Sequence, residues 1–314
     1  MRLVTKYSDE FLTDKVRSLI KMDEAGINIP RTVLINNRDI VNIDTFIEYS
    51  NSLSSSLIYP RYGVRLSFSD ISYPHYIQAI VEKNNIETTI KKLINKAHES
   101  NIILYDIILQ PLLENIMWSG GILKKDDFTF VELVYGTGKM IFREGQYIYR
   151  YLHTDDYEFE IIGNQSVCTN WFNGDLIRKS LNSNDISQDL LRDIASSIQH
   201  VELINNKLYE FGIVNNKIVF LESKTMINGS YDNLDKIFTE EEYSIVNGEE
   251  NHNNILVLDE PLFNHINKLN SNSSVYVNSG SILSHLAFYC TQKQIPCKFK
   301  TSYVNKYSSD SEAV

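Results

Sequence analysis

Apolar residues recur at helical spacing in several stretches of the 314-residue chain. Residues 10–26 carry Phe11, Val16, Leu19, Ile20 and Met22 on one face, and Ala25-Gly26 closes the run. Similar patterns predict helices over 86–97 and over 187–205, the latter on Leu190, Leu191, Ile194, Ile198 and Val201. Asn42 or Asp44 caps a further helix through Phe46 to Tyr49. Between them, short β-branched and aromatic runs predict strands at 32–35, 62–69, 76–81, 102–109, 117–122, 128–134, 147–152 and 157–162. Lys207–Val214 and Lys217–Leu221 read as a hairpin about Asn215-Asn216. Residues 163–185 read as loop.

The pattern changes at 228–253, a polar stretch with Glu240-Glu241-Glu242 that reads as a linker. A compact βαβα pattern follows, with strands at 255–258 and 275–278 and helices at 262–269 and 282–294. Cys297–Phe299 adds a strand, and the tail from Ser302 reads as disordered. The predicted architecture is α/β (α+β). A body over 1–227, with lobes at about 1–85 and 86–227, precedes a linker at 228–253, a small module at 254–300 and a tail at 301–314.

Composition narrows the function classes. With 43% hydrophobic and 22% charged residues the chain has the make-up of a globular protein. No apolar run approaches the roughly 18–20 residues that cross a bilayer. The N-terminus turns polar too early for a secretory signal, so the expected location is cytoplasmic, without a membrane partner. A net charge of −10 argues against broad nucleic-acid binding but leaves room for a local basic pocket that takes a nucleotide. Cys168, Cys290 and Cys297 are odd in number and scattered, which fits reduced thiols better than a disulfide framework or a zinc site.

Six stretches carry candidate chemistry. Lys15 lies in the first helix, before Ala25-Gly26-Ile27-Asn28-Ile29-Pro30. Arg65 lies in Val64-Arg65-Leu66-Ser67, and the following 71–76 segment, which contains His75, has no glycine. Gln110-Pro111 precedes Trp118-Ser119-Gly120-Gly121. Glu132 leads into Tyr135-Gly136-Thr137-Gly138, where paired glycines after a strand permit close backbone approach. Glu210 stands on one hairpin strand, Glu222 and Lys224 on the next. His285 sits in Ser279-Gly280-Ser281-Ile282-Leu283-Ser284-His285, with Ile295-Pro296 beyond. Taken singly, each has a plain alternative: a solvated helix lysine, a strand-to-helix turn, a cross-strand Glu–Lys ladder, a structural histidine.

In this order the six stretches resemble the nucleotide-binding domain of the phosphoenolpyruvate synthase / pyruvate phosphate dikinase family. That is an ATP-grasp-like domain found with a swivelling phosphohistidine domain. Leu66 and Lys224 stand where the family has Ser and Arg. The resemblance implies that Lys15, Arg65, Gln110, Glu132, Gly136 and Gly138 bind ATP. It implies Glu210 and Glu222 as the Mg²⁺ ligands, and Arg65, Lys224 and His285 as catalytic residues. His285 would carry phosphate from ATP to an unidentified small-molecule acceptor, bound in this chain or by a separate protein, with AMP and phosphate as products. Alternatives of other classes are a nucleotide-binding regulatory module or partner subunit of a split enzyme, and an ATP-grasp ligase that joins a carboxylate to an amine through an acyl phosphate.

Overall fold

The computed structural model describes residues 13–36, 61–68, 76–102, 105–156, 158–163, 165–172, 175–181, 186–199, 201–226, 231–232, 234, 236–240, 242–246, 254–300 and 306–307. The chain divides into two compact units. One comprises 1–114, 171–175 and 219–224, the other 115–170, 176–218 and 225–314.

In the first unit, helix α1 (Asp14–Glu24) precedes strands β1 (Val33–Asn36), β2 (Arg61–Phe68) and β3 (Tyr76–Glu82). Helix α2 (Ile86–Glu99) and strand β4 (Tyr105–Pro111) follow. The strands form a sheet in the order β1-β4-β2-β3, antiparallel throughout. Period-two alternation sends Tyr62, Val64 and Leu66 to one face, all fully buried. There they meet Ile86, Ile90, Leu93 and Ala97 of α2 and Ile107 and Leu109 of β4. At the start of α1 the Thr13 N–H donates to Asp106 Oδ2 at 2.6 Å, and the Thr13 hydroxyl donates to Ser67 at 3.0 Å. Burial raises the Asp106 carboxyl above the usual range, against the lowering effect of Thr13 and Arg17.

The second unit opens with β5 (Trp118–Lys124), β6 (Phe128–Tyr135) and the single turn α3 (Lys139–Phe142). Strands β7 (Tyr149–Thr154), β8 (Glu158–Ile162), β9 (Val167–Phe172) and β10 (Asp175–Ser180) follow, with 171–172 and 175 counted in the first unit. The last two stand in the stretch expected to be loop. Helix α4 (Gln188–Gln199) and strand β11 (Lys207–Val214) come next. Strand β12 (Lys217–Thr225) crosses between units, since its residues 219–224 belong to the first. Helix α5 (Lys236–Thr239), β13 (Glu242–Val246), β14 (Ile255–Leu258), a 3-10 turn over Phe263–Lys268, and β15 (Ser274–Val277) lead to α6 (His285–Lys293). Strands β16 (Cys297–Lys300) and β17 (Lys306–Tyr307) complete the set.

Two sheets organise this unit. The large one runs β11-β5-β6-β7-β8-β17 within it, all antiparallel. Helix α4 packs along it, where Glu160 accepts from Arg192 and, at 3.2 Å, from Gln188. Burial alone would raise the Glu160 carboxyl. Hydrogen bonds from Arg192, Gln188 and Tyr149 outweigh that and hold it below the usual range. The smaller sheet runs β13-β16-β15-β14, with β14, β15 and β16 parallel. Strand β13 lies inside the stretch expected to be a linker and pairs antiparallel with β16. Its alternate residues Tyr243 and Ile245 are buried, so the period-two pattern outweighed the acidic run before it. The expected Phe46 helix, the loop around His75 and most of the expected disordered tail lie outside the described residues.

Candidate functional site

Helix α1 and strand β12 supply the first cluster. Lys15 is nearly buried on α1 and its ammonium donates to Glu222 Oε2; the two side chains are 8% and 16% exposed. One turn along, Ser18 Oγ lies 2.7 Å from Ser223 Oγ and accepts from the Ser223 N–H at 2.8 Å. Phe220 N–H donates to the Asn28 carbonyl at 2.8 Å, which seats β12 beside the chain leaving α1. Lys224 is two residues beyond Glu222 and so shares its strand face. In the same unit, Gln110 donates to Thr32 Oγ1 at 2.9 Å, and Arg65 donates to Gln78 at 3.3 Å.

A different group of predicted residues meets in the second unit. Glu210 pairs with Gly121, Gly121 with Glu132, and Glu132 with Arg150. Direct partners share a face, so these four form one row across β11, β5, β6 and β7. Glu132 is fully buried, and Arg150 Nε donates to it at 2.7 Å. The Glu132 carboxylate also accepts from the Ser281 hydroxyl and from the backbone N–H groups of Ile282 and Leu283, both at 3.2 Å. Arg150 donates in turn to the Gly280 carbonyl. Leu283 lies directly over Gly121, where a β-carbon would approach it to 2.6 Å. The serine-rich loop ahead of α6 thus takes up the carboxylate of Glu132.

That loop also sets His285. Ser284 is the N-cap of α6, its hydroxyl accepting from Ala287 N–H at 3.2 Å, so the helix begins at His285, three residues later than the pattern predicts. The imidazole is largely buried. It stacks on Phe142 at 5.8 Å, meets Phe263 edge-on at 5.7 Å, and places Nε2 3.7 Å from Glu210 Oε1. The glycines after β6 face protein as well. Gly136 has φ +92°, and a β-carbon there would come within 2.4 Å of the Thr169 carbonyl; one on Gly138 would meet Phe142 at 3.1 Å.

The two acids of the expected metal pair therefore have separate partners: Lys15 for Glu222 and His285 for Glu210. Among the described residues no group of three or more His, Cys, Asp or Glu gathers as a metal cage. Mg²⁺ is commonly held by one or two carboxylates plus phosphate oxygens, a donor set that Glu222 fits.

The sequence reading passed over Arg150 and Ser281. Arg150 had a signal: it is a lone charge within the apolar run Tyr147-Ile148-Tyr149-Arg150-Tyr151-Leu152, and a buried strand charge needs a counter-charge. Ser281 carried none, since its partner is 149 residues away.

No family model matches the chain, and no curated protein matches it. Solved structures do. A D-alanine–D-alanine ligase from Helicobacter pylori is 11% identical over 67% of this chain and 53% of its own, with a TM-score of 0.34. A D-Ala:D-Ser ligase from Enterococcus faecalis is 14% identical over 68% and 52%, with a TM-score of 0.35. An N5-carboxyaminoimidazole synthetase from Staphylococcus aureus, complexed with ADP, is 15% identical over 72% and 48%, with a TM-score of 0.33. The chain spans about half the length of these proteins. They belong to the ATP-grasp enzymes, the class expected for the fold, but they are ligases and a synthetase. This finding overturns the resemblance to phosphoenolpyruvate synthase and pyruvate phosphate dikinase. The expected transfer of phosphate from ATP through His285, with AMP as product, is corrected with it. The local geometry agrees with the correction. The loop of the expected swinging module is hydrogen-bonded to Glu132 and Arg150 of β6 and β7, and its histidine packs against two phenylalanines. No helix among the described residues is long and apolar enough to cross a membrane.

Proposed function

We propose that the chain is an ATP-dependent enzyme of the ligase type, with the nucleotide phosphates received in the first unit by Lys15, Lys224 and Arg65. The carrying observation is the Lys15–Glu222 pair, with Lys224 on the same strand face as Glu222. Alternating cation, carboxylate and cation suits a Mg²⁺-bound polyphosphate: lysines offset phosphate charge, and the carboxylate shares the ion with phosphate oxygens. Mg²⁺, when bound, neutralises charge on the transferring phosphoryl group. Lys15 then exchanges its carboxylate partner for a phosphate oxygen, which keeps a largely buried ammonium paired at every stage. Gln110 is the candidate contact on the adenine side.

In this reading a substrate carboxylate oxygen attacks the γ-phosphorus, and the bond to the departing ADP oxygen breaks. The acyl phosphate formed is attacked by an amine nitrogen, which loses a proton as phosphate leaves. Positioning and charge neutralisation, rather than a covalent protein intermediate, are what such a reaction asks of the chain.

The test is calorimetric titration with ATP and ADP in Mg²⁺, followed by product analysis with a panel of carboxylates and amines. Binding that weakens at least tenfold in Lys15→Met and in Glu222→Gln, with ADP and phosphate released, supports the reading. Mg²⁺-independent binding indifferent to both substitutions overturns it. Tight binding without turnover would favour a nucleotide-binding regulatory subunit, the second reading. It draws on the loop at 280–283, which already covers the face presented by Gly121 and Glu132.

A further inference from the structure

We infer that the half-buried row Arg61–Gly63–Arg65 of β2 is a polyphosphate platform, with Arg61 as a phosphate-binding residue and Gly63 as its floor. The inference rests on the nucleotide-binding reading and specifies where the phosphate chain lies. Strand alternation puts Tyr62, Val64 and Leu66 wholly into the core and leaves Arg61, Gly63 and Arg65 half-buried on the opposite face. Residues four apart on a strand are separated by about 13 Å. Two long guanidinium side chains can therefore converge from either end on an anion lying over the residue between them.

That middle residue is a glycine in an open position. Among the described residues, a β-carbon added at Gly63 would meet only the Gln110 carbonyl, at 3.9 Å. At Gly120, by contrast, glycine is required by crowding: a β-carbon there would collide with the Glu132 carbonyl at 2.4 Å. Among the described residues Gly63 meets no such crowding, which leaves room for a ligand to approach the strand closely. The neighbours suit a phosphate chain. Gln110 is the β4 partner of Gly63, and Gln78 is the β3 partner of Arg65. Both carry neutral amides that donate hydrogen bonds without adding charge.

Two of the ion pairs of Arg61 are long and exposed. Glu82 and Asp175 each lie 3.9 Å from its guanidinium, with side chains 66% and 82% exposed. Pairs of this length and exposure yield readily to a doubly charged phosphate that accepts bidentate hydrogen bonds. Planar fork geometry also makes arginine the stronger choice over lysine at such a place.

The experiment measures binding of ATP, ADP, AMP and inorganic tripolyphosphate to the full chain and to Arg61→Met, Gly63→Val and Lys15→Met. Gly63→Val places a β-branched side chain at an open strand position, so its thermal midpoint should equal or exceed that of the wild type while its floor is filled. The platform predicts at least tenfold weaker ATP and tripolyphosphate binding in Arg61→Met and Gly63→Val, with AMP affected least. If both bind ATP as the wild type does while Lys15→Met does not, the platform is refuted and the nucleotide reading stands. If the wild type binds tripolyphosphate in an Arg61-dependent way but no nucleotide, the platform stands and the nucleotide reading falls. If it binds none of the four, both fall.

Discussion

Glu132→Gln tests the row that joins the loop ahead of α6 to the large sheet. The substitution removes one charge and leaves the other, because Arg150 is 3% exposed and cannot recover hydration without local opening. Leaving a buried charge unpaired costs about 3–5 kcal/mol. The amide keeps one oxygen, and so one of the two N–H groups, because Ile282 donates to Oε1 and Leu283 to Oε2. Its own N–H₂ must then face either Arg150 and the Ile282 N–H or the Ser281 hydroxyl and the Leu283 N–H, each now donating into that place. The hydrogen-bond loss overlaps the charge term and does not add to it in full. The expected destabilisation is therefore about 3–5 kcal/mol, or on the order of 10 °C in the thermal midpoint. Urea unfolding in a Trp171→Phe background, which leaves Trp118 on β5 as the sole tryptophan, reports it within the same unit. Arg150→Met alone should cost a similar amount, and the double substitution clearly less than the sum of the two. A Glu132→Gln variant within about 1 kcal/mol of the wild type, or strictly additive single effects, would refute the argument.

Three further outcomes follow. Glu160, held below the usual carboxyl range, contributes stability that is fully present above the unfolded value near 4.3 and is lost as pH falls through the folded value. Glu160→Gln should therefore cost about 1–2 kcal/mol at neutral pH, with the gap to wild type closing toward pH 3 in a denaturation series. Asp106 has the opposite sign: burial raises its carboxyl, so its contribution is fully present below the unfolded value and is lost as pH rises through the folded one. Asp106→Asn keeps an acceptor for the Thr13 N–H, and its thermal midpoint relative to wild type should climb as pH rises above about 4 and level off once the folded carboxyl has ionised. Gly120→Ala should lower stability by about 1–3 kcal/mol or more. Its β-carbon meets a backbone carbonyl at 2.4 Å and the Phe211 ring at 2.5 Å, and the carbonyl cannot move without breaking the sheet. Circular dichroism on heating reads that difference directly.

Local signals made most elements legible. Residues 14–24 announce α1 through Val16, Leu19 and Met22, which are all fully buried. Alternation and turn chemistry likewise outline β5, β6 and the β11–β12 hairpin, whose Asn215 and Asn216 both take positive φ. What escaped the sequence was pairing at long range. Lys15 and Glu222 each stood out as chemistry, yet only the fold makes them partners across 207 residues. Glu132 stood out as a ligand for nucleotide, because an acid beside a glycine pair reads the same whether its acceptors face a cofactor or a loop. The acidic run at 240–242 hid β13 for a related reason: charge at a strand's edge says nothing of the alternation beyond it. The family resemblance failed at the same level. It matched short motifs in order, and motifs do not specify which surfaces meet.

The contact between Glu132 and Leu283 also bears on how the chain is made. The carboxylate leaves the ribosome 151 residues ahead of the amide that receives it. At about 5–20 residues per second, that interval lasts roughly 8–30 s. Throughout it, β6 and β7 can pair and bring Glu132 to Arg150, but the face they form remains uncovered. The second unit therefore completes this face only after residues 280–283 have been made.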